Sequence, residues 1–519
     1  MPEITEAEAV ETAVEHVLGV VHLTVPDEVD LLRGHADESR SGPPAHLPHG
    51  KPQARRGPPG PSGGSREAVT VNSGLVIERT LIKDLSALPD GPVTVTGWVE
   101  TVRDQKKVQF VVLRDETGAL QLVRPRTAAD VLEAAGETDD VADAISSLSQ
   151  GSFVTVTGEL KHDERVKLGG IEVKVETLVV DSLADPETPI AADSSIDKRL
   201  DWRFLDLRVP RNALIFRVQT TFEHALRTWW IERDYVEIHT PKLMATPSES
   251  NAELFKVDYF DGVAYLAQSP QFFKQMAQSA GFGKIFEIAP VFRADPSFTS
   301  RHATEFTGVD AEISYVESHE DVMQMQEQLL AFAFQAVADK HGAEIKELFD
   351  VDVVVPTVPF PRIPLAEAKR IVAERGYEVP RADADMDPEG ERRIAEYVAE
   401  EFGHDFVFLT DYDASIRPFY HMRHDDDPQL TKSYDLIYRG TEITTGAQRE
   451  HRIEVLEQQI REKGMKPEEL SSYLDFFRYG APSHGGFGMG LARVLMLMLH
   501  QANLREVTFL FRGPTRLQP

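Results

Sequence analysis

Residues 286–313 read FEIAPVFRADPSFTSRHATEFTGVDAEI, and the fold turns on how they are read. Two apolar-rich runs flank a stretch of Asp, Pro, Ser, Thr, Arg and His, which is the composition of a strand, a loop and a second strand. Arg293, Arg301 and His302 fall on or near that loop, and Phe306 lies just beyond it. A guanidinium can grip a phosphate and a flat ring can stack on a base, so arginine plus an aromatic is the smallest set that could take a nucleotide. Taken alone, a surface hairpin with solvated charges accounts for the same residues.

Further along, HGGFGMGLARVLMLML at 484–499 places Gly486, Gly488 and Gly490 before Arg493 and an apolar helix face. Glycines let a backbone approach a phosphate, and an arginine beside them could hold a triphosphate tail; a glycine-packed helix start is the plain alternative. Upstream, Leu214, Val218, Phe222, Leu226 and Trp229 recur at helical spacing and predict a long amphipathic helix. It leads into YVEIHTPKL at 235–243, which reads as a strand ending at Pro241. The rest mixes strands and helices without β-α-β alternation or internal repeat, so residues 206–519 are expected to form one α+β domain.

Between 71 and 182 the pattern has period two. Val93 and Val95 alternate with threonines, Val108, Phe110 and Val112 follow, and Val154, Val156, Ile171, Val173 and Val175 continue the series. Turns are marked by Gly118, Gly151, Gly158 and Gly169–Gly170. About five strands in so short a span suit a small closed barrel of the OB type, though a barrel serving only as a spacer fits the alternation equally well. The polar, proline-bearing stretch beyond it predicts a hinge over 183–205. At the other end, a short helix is expected over 5–20, and GPPGPSGG within 33–66 marks residues 1–70 as a flexible extension.

The whole chain has 519 residues, more than one hydrophobic core usually serves. Its net charge of −30 argues against nucleic-acid binding through bulk charge but leaves room for a local basic face. Cysteine is absent, which excludes thiol catalysis, disulfides and cysteine-ligated metals. No apolar run is long enough to cross a bilayer, so no membrane partner is expected. The start, MPEITEAEAV, lacks the basic-then-apolar order of an export signal, and a cytoplasmic protein is the expectation.

Read together and in order, these pieces are far more specific than any one of them. A proline at a strand end after a long helix, an Arg-bearing loop between two strands, and GxGxxR before a helix resemble motifs 1, 2 and 3 of the class II aminoacyl-tRNA synthetases. Within that class, LAQSPQFFKQM (266–276), VFRADPSFTSRHATEFTGVD (291–310), IRPFY (416–420), YRGTEITTGAQR (438–449) and GAPSHGGFGMGLAR (480–493) resemble the aspartyl-specific family of archaeal and eukaryotic type. The resemblance runs from about residue 90 to the last.

It implies an antiparallel-sheet catalytic domain, a homodimer built around motif 1, and an OB-fold that reads a tRNA anticodon. It also implies activation of L-aspartate by ATP with Mg²⁺, then transfer of the aspartyl group to tRNA. Carried over residue by residue, Arg293 would hold the α-phosphate and Arg493 the γ-phosphate as the catalytic cations, and Phe306 would stack on adenine. Asp295, Arg301, His302 and Gly490 would complete the ATP site. Glu442 and Thr445 would ligate magnesium through oxygen, the donor it prefers. Lys274 and Arg449 would take the aspartate side chain, with Ser269, Gln271, Asp310 and Glu249 near its other groups. An amide in place of that carboxylate would leave buried cations unpaired, which can discriminate by about 10⁴–10⁵. In the barrel, Phe110 would stack on an anticodon base and Gln121 would hydrogen-bond one.

The chain departs from the family's pattern in four places. Asp295 stands where it usually has Glu, and Ala492 where it has Glu before the motif 3 arginine. Phe511 and Gly513 replace Pro and Asp near the end, and Ser250–Asn251 replaces a Gly-Gly pair after Glu249. Other readings stay open on sequence: a specialised second copy with altered inhibitor sensitivity, a non-catalytic RNA-binding or regulatory paralogue, an enzyme passing aspartyl-adenylate to another acceptor, or an asparaginyl-type enzyme. Retention of Arg293, Arg493, Glu442 and Arg449 favours an active enzyme, and QSPQ-x-x-K favours the aspartyl type. Whether tRNA(Asn) is also charged turns on barrel contacts, where Glu100 and Lys167 are candidates.

Overall fold

The computed structural model describes residues 79–127, 138–246, 254–381 and 384–519. The extension expected over 1–70, its helix at 5–20, and the Glu249–Asn251 segment lie outside them.

Strands β1 (Gly91–Asp104), β2 (Val108–Arg114), β3 (Ala119–Pro125), β4 (Phe153–His162) and β5 (Ile171–Ser182) close into a barrel in the order β1-β2-β3-β5-β4. Helix α1 (Asp140–Ser147) joins β3 to β4, and Asp139 caps it by accepting the Ala142 N–H. Val95, Leu113, Leu122, Val156 and Val173 fill the interior. Strand β2 turns Val108, Phe110 and Val112 outward, where they are half-buried, and Gln109, Val111 and Leu113 inward. The cause is Gln109, a polar residue in an inner slot. Its buried amide donates to the Ala142 carbonyl at 2.9 Å and to Ser146 Oγ at 3.0 Å, tying barrel to helix. Val112 also lies opposite Gln121 across the β2–β3 pair, so Phe110 and Gln121 share the outer face.

The larger domain is built on an eight-stranded sheet. Its strands are β6 (Val236–Glu237), β10 (Lys284–Phe292), β11 (Glu305–Ser314), β12 (Arg362–Pro364), β13 (Phe406–Asp413), β14 (Leu430–Tyr438), β15 (Thr441–Arg449) and β16 (His484–Gly490). A small separate sheet holds β7 (Leu243–Met244), β8 (Lys256–Tyr259) and β9 (Gly262–Leu266). The main order is β12-β13-β14-β15-β16-β11-β10-β6, antiparallel except for the outermost pair at each edge. Helices of this domain include α2 (Pro210–Ile231), α3 (Gln271–Ser279), α4 (His319–Phe349), α5 (Pro388–Phe402) and α6 (Leu491–Met498). The predicted stripe Leu214, Val218, Phe222, Leu226 and Trp229 on α2 is buried against Leu330, Phe334 and Val337 of α4 and the core side of the sheet. That side carries Val309, Ala311, Phe487 and Met489, so period two sends Gly308, Asp310, Glu312, Gly486 and Gly488 to the other.

Two expected boundaries move. The strand expected to reach Pro241 spans only Val236–Glu237, because the Thr240 N–H goes to Glu287 Oε1 at 2.7 Å and proline has no N–H to offer. The hinge expected over 183–205 ends earlier. Residues Ile196–Asp201 and Arg203–Asp206 are helical, and buried Arg203 pairs with Asp206 and donates to the carbonyls of Glu506, Thr508 and Phe509. These polar residues are satisfied inside the larger domain, so their composition imitates a linker.

Candidate active site

The open side of the sheet holds a cavity of about 400 Å³. Its floor exists because β16 lacks side chains there. Gly488 pairs with Asp310 on one side and Thr445 on the other, and Gly486 with Glu312 and Ala447. A Cβ on Gly488 would stand 3.1 Å from Asp310 Oδ1, and one on Gly486 would stand 2.3 Å from Glu312 Oε2. These glycines serve close approach, since neither has a positive φ.

At one end lie two buried cations. Lys274, on α3, donates from Nζ to Asp310 Oδ1 at 2.8 Å and to the Phe487 carbonyl at 3.0 Å. Arg449, at the end of β15, donates from Nε to Glu312 Oε1, from Nη1 to His421 Nε2 and from Nη2 to the Gly486 carbonyl, each at 2.9 Å. Asp310 and Glu312 are two residues apart on one strand face, so two carboxylates balance two cations. Burial lifts the Asp310 carboxyl although Lys274 opposes it. Burial works against Glu312 too, yet Arg449, Lys274 and His484 together hold it below the usual range. His421 is pushed well below its ordinary value by burial and by Arg449 and Arg417, so it is neutral and accepts from Arg449. Ser269 and Gln271 line the same end; the Gln271 side-chain nitrogen is buried and without a hydrogen-bond partner among the described residues.

At the other end the cations come from three elements. Arg293 follows β10, with its guanidinium 5.5 Å from the Phe306 ring centroid on β11. Among the described residues it has no ion-pair partner, whereas Arg301 is bound to Glu391 at 2.8 Å. Arg493, on helix α6, donates to the Glu442 carbonyl at 2.7 Å and to the Arg301 carbonyl at 3.3 Å. These contacts hold Arg493 where the neighbouring Ala492 offers no carboxylate. His302 is lowered by burial and by Arg493, Asp295 accepts from the Ser297 N–H, and Gly490 lies at the start of α6.

Between the two ends stand Glu442 and Thr445. Residues three apart in a regular strand face opposite sides, but the β14–β15 register shifts between Leu436 and Ile437. That irregularity brings the Thr445 hydroxyl to 3.3 Å from Glu442 Oε1. Burial disfavours the Glu442 anion, yet Arg493, Arg417 and Arg293 hold its pKa down. Opposite Thr445 lies Asp435, which the sequence reading did not single out. It is bound by Arg417 at 2.6 Å, its other oxygen is buried without a hydrogen-bond partner among the described residues, and burial pushes it up to about 7. Hard oxygen donors beside an arginine-lined phosphate space are the set a magnesium ion accepts, so these residues fit that ion.

Every site residue expected from sequence in the larger domain lines this one cavity, apart from Glu249, which lies outside the described residues. Phe110 and Gln121 belong to the barrel. There Gln121 donates to Glu172 at 2.9 Å and the Arg103 guanidinium lies 5.5 Å from the Phe110 ring centroid. Glu312 was legible in principle, as the next same-face acid after Asp310; Arg417 lies in the quoted IRPFY segment without a role read for it, and Asp435 shows itself only through its cross-strand neighbour Thr445.

The family model of class II tRNA synthetases (D, K and N) matches residues 195–512, and that of an OB-fold nucleic acid binding domain matches 93–181. An aspartate–tRNA(Asp/Asn) ligase of Aeropyrum pernix is 40% identical over 447 residues, covering 85% of this chain and 98% of its own. An aspartate–tRNA(Asp) ligase of Pyrococcus abyssi is 39% identical over 433 residues, covering 82% and 96%. Among solved structures, an asparaginyl-tRNA synthetase from Pyrococcus horikoshii with asparaginyl-adenylate superposes with a TM-score of 0.78 at 33% identity, covering 86% of this chain and 100% of that one. A putative aspartyl-tRNA synthetase from Leishmania major gives 0.75 at 29%, covering 87% and 97%.

Proposed function

The chain belongs to the class II tRNA synthetases, among their aspartate–tRNA ligases, and from that premise we propose how its cavity carries out the two steps. The observation that carries the reading is one cavity with buried Lys274 and Arg449 at one end and Arg293, Arg301 and Arg493 at the other. The aspartate side-chain carboxylate sits against the first pair, and Asp310 and Gln271 take the α-amino end. The ATP phosphates lie along the three arginines, with adenine on Phe306. The α-carboxylate oxygen then attacks the α-phosphorus, the bond to the β-phosphate oxygen breaks, and pyrophosphate leaves. Arg293 neutralises the charge that builds on the α-phosphate. In the second step a terminal hydroxyl of tRNA attacks the acyl carbon and AMP leaves. No side chain acts as nucleophile; the cavity contributes position and charge.

Glu442 and Thr445, with Asp435 beside them, would hold magnesium, which supplies charge neutralisation on the phosphates when bound. The outer face of the barrel, through Phe110 and Gln121, takes the anticodon bases. We place the working protein in the cytoplasm as a homodimer. Among the described residues no helix is long and apolar enough to cross a membrane. An asparaginyl reading has several structural likenesses in its favour, but a pair of cations suits a carboxylate rather than an amide. The relatives differ in whether their names include tRNA(Asn), so the deciding experiment is aminoacylation of tRNA(Asp) and tRNA(Asn) side by side with labelled aspartate. Charging of tRNA(Asp) supports the proposal, and failure to charge either refutes it.

A further inference from the structure

Glu391 does not line the cavity, yet it closes a ring of hydrogen bonds around the phosphate end. It belongs to the first turn of helix α5, where Asp387 caps the helix by accepting the Gly390 N–H at 2.9 Å. One carboxylate oxygen, Oε2, accepts from Arg301 Nη1 at 2.8 Å and from the Glu442 backbone N–H at 3.3 Å. From there the ring continues through Arg493, whose Nη1 donates to the Glu442 carbonyl at 2.7 Å and whose Nε donates to the Arg301 carbonyl at 3.3 Å. Four residues from four segments are thus joined in a closed circuit.

We propose that Glu391 is a positioning residue for ATP: it sets the Arg301 guanidinium and the Glu442 strand end in register with Arg493 before the nucleotide arrives. Three observations support this. Glu391 is buried, so its carboxylate meets fixed partners rather than water. Its helix is anchored away from the cavity by Ile394 and Val398, which pack with Val407, Leu409 and Ile437 in a separate core, so the carboxylate rides on a rigid element. Its two partners, Arg301 and Glu442, both line the cavity on the side assigned to the phosphates, while Lys274 and Arg449 are held by other acids. A free Arg301 on its loop would sample many rotamers and bind ATP at the cost of ordering itself. Pairing it beforehand removes part of that cost, although the pair must loosen enough for Arg301 to share its donors with phosphate oxygens.

The inference rests on the aspartate–tRNA ligase reading, and the test separates the two. Steady-state ATP–pyrophosphate exchange is measured on the full chain, on Glu391→Ala and Glu391→Gln, and on Arg301→Ala with and without Glu391→Ala. Exchange in the parent establishes the reading, and its absence there would defeat that reading whatever the variants do. Glu391→Ala is expected to raise the KM for ATP about tenfold, as a lost charged hydrogen bond does, with the KM for aspartate unchanged. Glu391→Gln, which keeps an acceptor, should recover part of the loss. If Glu391 acts through Arg301, adding Glu391→Ala to Arg301→Ala should cost little more than Arg301→Ala alone. An unchanged KM for ATP, equal rises for both substrates, or fully additive losses in the double variant would each overturn the inference.

Discussion

Arg449→Ala is the substitution in which stability and activity separate most clearly. Arg449 makes three hydrogen bonds at 2.9 Å, one of them to Glu312, which is fully buried. Removing one partner of a buried pair costs about 3–5 kcal/mol, chiefly because the other charge is left uncompensated. Lys274 Nζ remains 3.5 Å from Glu312 Oε2, which places the expected loss near about 3 kcal/mol. The lost grip on the substrate adds a separate effect, a fall in kcat/KM for aspartate of at least about tenfold to a hundredfold. The double variant Arg449→Ala/Glu312→Ala removes both charges. It should regain part of the stability, read as the urea midpoint of the transition, without regaining aspartate-dependent exchange. If exchange persists undiminished in Arg449→Ala, the residue is not in the substrate site. If activity returns along with stability in the double variant, Arg449 serves only to neutralise Glu312.

Other perturbations test other parts of the account. His421 has a depressed pKa, so above about pH 6.5 it is neutral folded or unfolded, whereas below that the unfolded chain takes up a proton that the folded one refuses. Stability should therefore decline as pH falls from about 6.5, and His421→Asn, which keeps an acceptor for Arg449, should flatten that decline in urea titrations at several pH values. Phe110→Ala should raise the KM for tRNA by roughly fivefold to a hundredfold, the worth of one stacked base, and leave pyrophosphate exchange intact. Gly308→Ala would put a Cβ 2.9 Å from Asp310 Oδ2, displacing that carboxylate. The KM for aspartate should rise severalfold in exchange assays while the KM for ATP stays near the parent's.

How much of this was legible in the sequence depends on whether the information was local. The α2 stripe from Leu214 to Trp229 is a periodicity within one element, and all five residues are buried. The strand, loop and strand of 286–313 likewise followed from composition. Readings fell short where a polar side chain did a structural task at long range. Gln109 occupies an inner barrel slot because α1 supplies its acceptors, and alternation alone does not say which face of β2 turns inward. Arg203 looked like linker because its acceptors lie some three hundred residues away in sequence. The site shows the same division: motif-borne residues such as Arg293, Glu442 and Arg449 were named, whereas Asp435 and Glu391 gain meaning only from register and from α5 packing. The Glu442–Thr445 pair depends on a strand irregularity that spacing alone does not reveal.

The central claim, that one cavity joins aspartate to ATP, is tested most directly by amino-acid-dependent ATP–pyrophosphate exchange on the intact chain with magnesium, comparing aspartate, asparagine and lysine. The paired cations Lys274 and Arg449 predict exchange with aspartate, and rates lower by several orders of magnitude with asparagine and lysine. Exchange supported equally by asparagine, or none with any of the three, would contradict the account.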